Sequence, residues 1–229
     1  MRIILAGNIS KNIYDPLLKR GFEIIKSPFN PNLLKGLNYH PDMQLARADG
    51  SLVCDPSLVD YYKEKLSQSS NLMPGNKVCS CNYPGDVAYN IKVIKNTVFH
   101  NFKFTDSVLM NLLSGKEKAD VTQGYTGCSI CNVCDCGLIT SDRVIFEKAS
   151  QKGIDALLIR PGGICLEGFD YGFIGGASFC FENTLYFFGD VKTHPDGDKI
   201  IDFCQKHGVC AVSLADAILS DYGSAVVVD

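Results

Sequence analysis

Cys128 is the thiol whose surroundings look chemical. It follows Gly124 in a Gly-x-x-x-Cys-Ser context, at the start of an apolar stretch that reads as an inner strand. A thiolate beside an imidazolium attacks a guanidinium carbon, and the protonated imidazole then helps expel an amine. Read structurally, the same residue is a small buried hydrophobe, the ordinary fate of a free cysteine. His40 and Asp42 bracket Pro41 at the mouth of another strand. His40 suits a general acid or base, and Asp42 suits orienting that imidazole or binding a cationic group. An Asp at a strand entrance also ties turns. Asp86, behind Asn82-Tyr83-Pro84-Gly85, and Asp221 fall at matching strand entrances. Three carboxylates meeting at one centre make a cation-selective pocket, because guanidinium matches bidentate carboxylates. Tyr83 joins Asp86 in the substrate-binding set, as do Gly175 and Gly176, whose backbone either approaches a ligand or makes a tight turn. A second His-Pro-Asp run, His194-Pro195-Asp196, precedes a helix and reads as capping and first-turn charge.

The run Cys128-x-x-Cys131-x-x-Cys134-x-Cys136 poses an opposing chemistry, since such spacing occurs in iron–sulfur proteins. In a strand, residues 128 and 131 face opposite sides about 10 Å apart. A metal with bonds of about 2.3 Å needs its sulfurs within roughly 4–5 Å. The strand reading therefore leaves no metal and no cofactor. In a loop the four thiolates converge, joined by Cys79 and Cys81, and a thiolate metal protein stands as the alternative.

These residues need a frame. The chain has 229 residues, 46% hydrophobic and 21% charged, with a net charge of −3, so it has ample material for a core and no field that invites nucleic acid or an anionic membrane. The apolar run from Ile3 is too short for a secretory signal or a membrane span, which points to a cytoplasmic protein with reduced thiols. Four segments share one grammar of strand, turn, strand, helix and third strand. Asp42–Arg47 turns at Asp49-Gly50 into Ser51–Cys54, followed by a helix from Pro56 through Leu66. Asp86–Val93 turns at Lys95-Asn96 into Thr97–Phe102, and Thr105 or Asp106 caps a helix to Leu113. Cys128–Val133 turns around Asp135–Gly137 into Leu138–Ser141, with a helix from Asp142 to Gly153. Gly176–Phe181 turns at Glu182-Asn183 into Leu185–Phe188, and a helix with Pro195 in its first turn runs to Gly208. Third strands are expected around Val78, around Val121, at Ala156–Ile159 and at Cys210–Ser213. The turns at 49, 96, 136 and 183 are spaced by 47, 40 and 47 residues, a repeat period. Ala225–Val228 joined to Ile3–Ala6, a helix at Tyr14–Arg20 and Phe22–Lys26 make a fifth unit. The expected architecture is α/β: five ββαβ modules in a closed pseudo-fivefold propeller, one domain over residues 1–229, its fifth module closed by the N- and C-terminal strands. An ordinary doubly wound α/β sheet is the alternative that periodicity leaves open.

Five ββαβ modules in a ring resemble the pentein fold of the guanidino-group-modifying enzymes, which include arginine and agmatine deiminases, dimethylarginine hydrolases and amidinotransferases. His40-Pro41-Asp42-Met43 through Asp49-Gly50 to Pro56 resembles the deiminase segment in which His-x-Asp opens a strand. Gly175-Gly176-Ala177-Ser178-Phe179 through Gly189-Asp190 resembles a strand of the dimethylarginine hydrolases. Gly124-Tyr125 with Cys128-Ser129, Ile139-Thr140-Ser141-Asp142 and Tyr171-Gly172-Phe173-Ile174-Gly175-Gly176 look like an uncharacterised bacterial family assigned to this fold, over essentially the whole chain. The resemblance implies a Cys-dependent hydrolase or transferase acting on a guanidino or amidino small molecule, with Cys128, His40 and Asp42 as catalytic candidates and a cationic substrate as the partner. In those enzymes the nucleophilic Cys lies in the last module; here that region reads Asp221-Tyr222-Gly223-Ser224-Ala225 and holds none. A non-catalytic binding protein of the same fold is therefore the alternative reading.

Overall fold

The computed structural model describes residues 1–66 and 70–228. In chain order its elements are β1 (Arg2–Leu5), α1 (Lys11–Lys19), β2 (Glu23–Lys26), α2 (Pro41–Gln44), β3 (Leu45–Ala48), β4 (Ser51–Cys54), α3 (Val59–Lys65), β5 (Leu72–Pro74), β6 (Lys92–Ile94), β7 (Thr97–His100), α4 (Ser107–Leu112) and β8 (Glu117–Asp120). They continue with α5 (Thr126–Ser129), β9 (Cys131–Val133), β10 (Gly137–Thr140), α6 (Arg143–Gln151), β11 (Asp155–Leu158), β12 (Ser178–Phe181), β13 (Thr184–Phe187), α7 (Gly197–Lys206), β14 (Cys210–Ser213) and β15 (Val226–Val227). The strands form five three-stranded sheets of one design, β3-β4-β5, β6-β7-β8, β9-β10-β11, β12-β13-β14 and β15-β1-β2, numbered here as modules one to five. In each, the first strand pairs antiparallel with the middle one, which pairs parallel with the third across a helix. Module five joins distant chain segments, with Ile3 opposite Val227 and Ile4 opposite Val226.

The core shows how the sheets are arranged. Strand side chains alternate between faces, and here alternate residues enter different apolar clusters. Leu52 packs with Ile4 and Ile25 between modules five and one, whereas its neighbour Val53 packs with Tyr89 and Val98 between modules one and two. Val98 faces that seam, and Phe99 faces Ile130 and Leu138 between modules two and three. Ile139 packs with Leu185 and Phe187 between modules three and four, and Phe188 packs with Ile3 and Leu5 between modules four and five. Five seams join five modules in cyclic order, so both faces of every sheet are covered and the ring closes through packing. This is a five-module pentein-like α/β propeller. It also explains why the strands read as continuous apolar runs, as sheets buried on both faces do.

Three expectations are corrected. The first strands of modules one and three are preceded by one helical turn, α2 and α5, so Asp42 and Cys128 lie on short helices rather than in strands. Pro41 opens α2 at a position that needs no N–H donor. The third strand of module one is Leu72–Pro74, paired with β4, while Val78 lies outside it and is exposed. Finally, the thiols are not all reduced: Cys134 and Cys180 are bonded, with Cα atoms 5.5 Å apart, across the hairpins of modules three and four. Among the described residues no helix is long and apolar enough to cross a membrane.

The Cys134–Cys180 bond closes a chain separation of 46 residues. Cys134→Ser should therefore lower unfolding stability by about 2–4 kcal/mol under non-reducing conditions. Thermal melts with and without reductant check this, because the variant's melting curve should no longer respond to reductant.

Candidate active site at the ring centre

Asp42 and Cys128 occupy equivalent places in modules one and three. Each precedes the positive-φ residue of its own hairpin turn, Asp49 or Asp135, by the same interval. The pseudo-symmetry brings them face to face. Cys128 Sγ donates to Asp42 Oδ2 at 2.9 Å. Asn90 ties the pair together: its Nδ2 lies 3.2 Å from Cys128 Sγ and 3.2 Å from the Asp42 carbonyl, while its Oδ1 accepts from the Cys128 backbone N–H at 3.2 Å. Asp221 accepts the N–H groups of Phe173 at 2.8 Å and Gly223 at 3.0 Å. His40 Nδ1 stands 3.8 Å from Asp221 Oδ1. That nitrogen and Asp42 Oδ1 are buried with no hydrogen-bond partner among the described residues, a costly state for polar atoms.

Electrostatics here differ from the expected activated thiol. Cys128 is 2% exposed rather than open at a strand entrance. Burial, followed by the charges of Asp42 and Asp221, pushes its pKa well above the ordinary thiol value. Cys128 is thus a thiol, not a thiolate. Burial likewise raises Asp221, with the nearby His40 opposing the shift and Asp42 adding to it.

Cys128 and Asp221 line a cavity of 280 Å³ whose other walls include the rings of Tyr125, Phe169, Tyr171 and Phe173. It adjoins a cleft of 630 Å³ that His40 also lines, with Leu166, Phe169, Asp170 and Asp221 common to both. Asp42 borders instead a separate cleft of 430 Å³ with Arg47, Lys92 and Lys95. Asp86 lines neither the cavity nor the first cleft. Its Oδ2 accepts from Tyr125 OH at 2.6 Å, so it reaches the cavity only by fixing that ring, and burial raises its pKa. Tyr83 also lines neither; half-exposed, its ring lies 5.8 Å from that of Tyr125. Gly176 donates its N–H to the Cys128 carbonyl at 3.0 Å, and a Cβ there would overlap Asp221 Oδ1. A Cβ on Gly175 would overlap the Ile130 carbonyl. These two glycines let module four pass between Cys128 and Asp221.

His40, Asp42 and Cys128 each offer a ligand atom, all within 4.8 Å of one another, a nitrogen, oxygen and sulfur set of the kind that suits a zinc-type ion. The Cys128–Cys136 run does not form a four-thiolate site: Cys134 is bonded to Cys180, Cys131 is buried on β9 and Cys136 is exposed. His194 and Asp196 lie apart from the centre, at the start of α7, where Asp196 holds Arg160 and Lys199. Asn90 is the residue that sequence reasoning missed. An uncharged amide in no motif carries one usable signal, its place just ahead of the first strand of module two.

Two outcomes follow from the thiol's surroundings. Asp42→Asn removes a carboxylate facing Cys128, so the pH profile of Cys128 alkylation should move to lower pH, read by mass spectrometry of the labelled peptides. The second concerns stability at alkaline pH. Burial raises Cys54 and Cys204 to about 12 and Cys131 to about 11. The unfolded chain releases these protons, and that of Cys128, before the folded one does, so stability is complete below the ordinary thiol range and lost as pH rises through it. Each such thiol should cost about 1.4 kcal/mol per pH unit between its unfolded and folded values. Denaturant unfolding across that range measures the slope, which Cys128→Ser should reduce.

The sequence model of a family of unknown function, DUF6873, matches residues 4–226. No curated protein sequence matches the chain. Among solved structures, an S-methyl-L-thiocitrulline adduct of a dimethylarginine dimethylaminohydrolase variant superposes with a TM-score of 0.59 at 6% identity, covering 93% of this chain and 92% of the other. The Pseudomonas aeruginosa dimethylarginine dimethylaminohydrolase, as a variant in complex with citrulline, gives a TM-score of 0.58 at 7% identity, covering 93% and 91%. Agmatine deiminase of C. jejuni gives 0.54 at 9% identity, covering 93% and 87%. At these identities the likeness concerns the fold, which is the pentein fold of guanidine-modifying enzymes. The chain, whose fold is pentein-like, belongs to the family of unknown function DUF6873.

Proposed function

We propose that the ring centre is a Cys128-dependent site, in a cytoplasmic protein, that hydrolyses a small guanidino or amidino cation or transfers a group from it. The observation that supports this most directly is the protonated thiol that donates to Asp42 and, with Asp221, lines an aromatic-walled cavity. A planar delocalised cation satisfies several carboxylate oxygens at once and stacks on aromatic faces. Burial chiefly holds the thiol pKa up and the two carboxylates add to it; the cation's charge offsets the carboxylates, so binding favours the thiolate. A ring nitrogen of His40 takes the thiol proton. The thiolate forms a C–S bond to the central carbon, the C–N bond to the departing amine breaks, and His40 returns the proton to that amine. Water then adds to the S-bound carbon, His40 accepts its proton, and the C–S bond breaks as the proton returns to sulfur, releasing a urea-type product. The supporting fold neighbours include a citrulline complex and a thiocitrulline adduct.

A second reading, a protein that binds such a cation without turning it over, is favoured by the thiol's burial and raised pKa. Thermal shift with arginine, agmatine, guanidinoacetate and methylarginines, followed by assays for urea, citrulline and ammonia, decides between them. A fitted ligand at a hundred times its dissociation constant should stabilise the fold by about 2.7 kcal/mol. Cys128→Ala should keep that shift and lose product. Binding without product from the native protein establishes the second reading, and no shift from any of these compounds overturns both.

A further inference from the structure

Resting on the guanidine reading, we infer that the ligand is a dication with no carboxylate, a guanidine or amidine whose chain ends in an amine. The walls carry the argument. Among the described residues, no Lys or Arg lines the 280 Å³ cavity or the adjoining 630 Å³ cleft, whereas Asp221, Asp170 and Glu167 do. Glu167 is tied to Lys35 at 2.9 Å at the exposed rim, leaving that pair nearly neutral. Asp170 is exposed, lines both spaces and makes no ion pair or hydrogen bond among the described residues. The negative potential thus runs from Asp221, which lines both spaces beside the thiol, out to Asp170 where cavity and cleft join.

The buried end of this track is built for a ligand as well: His40 lines the cleft, and its Nδ1 is buried without a partner among the described residues. A carboxylate on a ligand tail wants Arg, Lys or a fork of donors, and here it would meet Asp170 instead. Rejection of the carboxylate is as much a specificity device as attraction of the amine. The ring of Phe169 at the shared boundary and that of Tyr171 in the cavity offer faces to a cationic tail. Asp170 is therefore the specificity-determining residue, placed away from the groups that handle the thiol.

Four guanidines separate this inference from the reading beneath it: agmatine with an amine, butylguanidine with neither group, arginine with an amine and a carboxylate, and guanidinobutyrate with a carboxylate alone. Calorimetric titration of the native protein should rank them in that order, with agmatine roughly tenfold tighter than butylguanidine and guanidinobutyrate roughly tenfold weaker. Asp170→Asn should erase most of agmatine's advantage while leaving butylguanidine unchanged, and raising the salt should shrink the same advantage. If arginine or guanidinobutyrate binds as tightly as agmatine, or Asp170→Asn leaves the ranking intact, the inference fails and the guanidine reading survives. If none of the four binds, the guanidine reading fails and the inference falls with it.

Discussion

Charge balance around one buried thiol is the constraint on which the centre of this ring depends. Asp42 and Asp221 are buried beside Cys128, with His40 as the neighbouring titratable base. Burying two carboxylates near each other is unfavourable unless protons, donors or a cation compensate. Part of the compensation is internal: the Cys128 thiol donates to Asp42, and two backbone N–H groups hold Asp221. The remainder, Asp42 Oδ1 and His40 Nδ1, is left open. The proposed cationic ligand would meet this remaining demand.

That arrangement is a property of the whole ring rather than of any module. Module one lends His40 and Asp42, module two Asn90, module three Cys128, module four the Gly175-Gly176 passage, and Asp221 comes from the segment leading into module five. The distances among them are therefore set by the five apolar seams that fix each sheet against the next. The seam between modules three and four shows the coupling most directly. Its central end is held by the Gly176 N–H on the Cys128 carbonyl, and its far end by the Cys134–Cys180 bond. The first strands of both modules run between those two ties, so the thiol's backbone is anchored on each side.

Much of this was legible in the sequence because hairpin turns leave a signature. The positive-φ positions at Asp49, Lys95, Asp135 and Glu182 sit in turn-forming pairs, and their spacing counts the modules. His40, Asp42 and Cys128 stood out by residue type alone, and the ring brings a side-chain atom of each within 4.8 Å of the others. What stayed hidden depends on direction or on distant neighbours. Asp86 was visible as a carboxylate, but nothing local says that it points at Tyr125 rather than into the centre. The helical turns α2 and α5 are single turns, too short to leave a period. Cys134 and Cys180 meet only because the ring sets their hairpins side by side, and Asn90 is an amide whose value lies in what surrounds it.

The central claim is that a bound cation releases the Cys128 proton by offsetting Asp42 and Asp221. Ultraviolet difference spectroscopy of the thiolate band, recorded while butylguanidine is titrated into the protein near neutral pH, reads that event directly. The account predicts a saturable rise in thiolate absorbance in the native protein that is absent from Cys128→Ser. Saturable binding of the guanidine with no change in the thiolate band would contradict it.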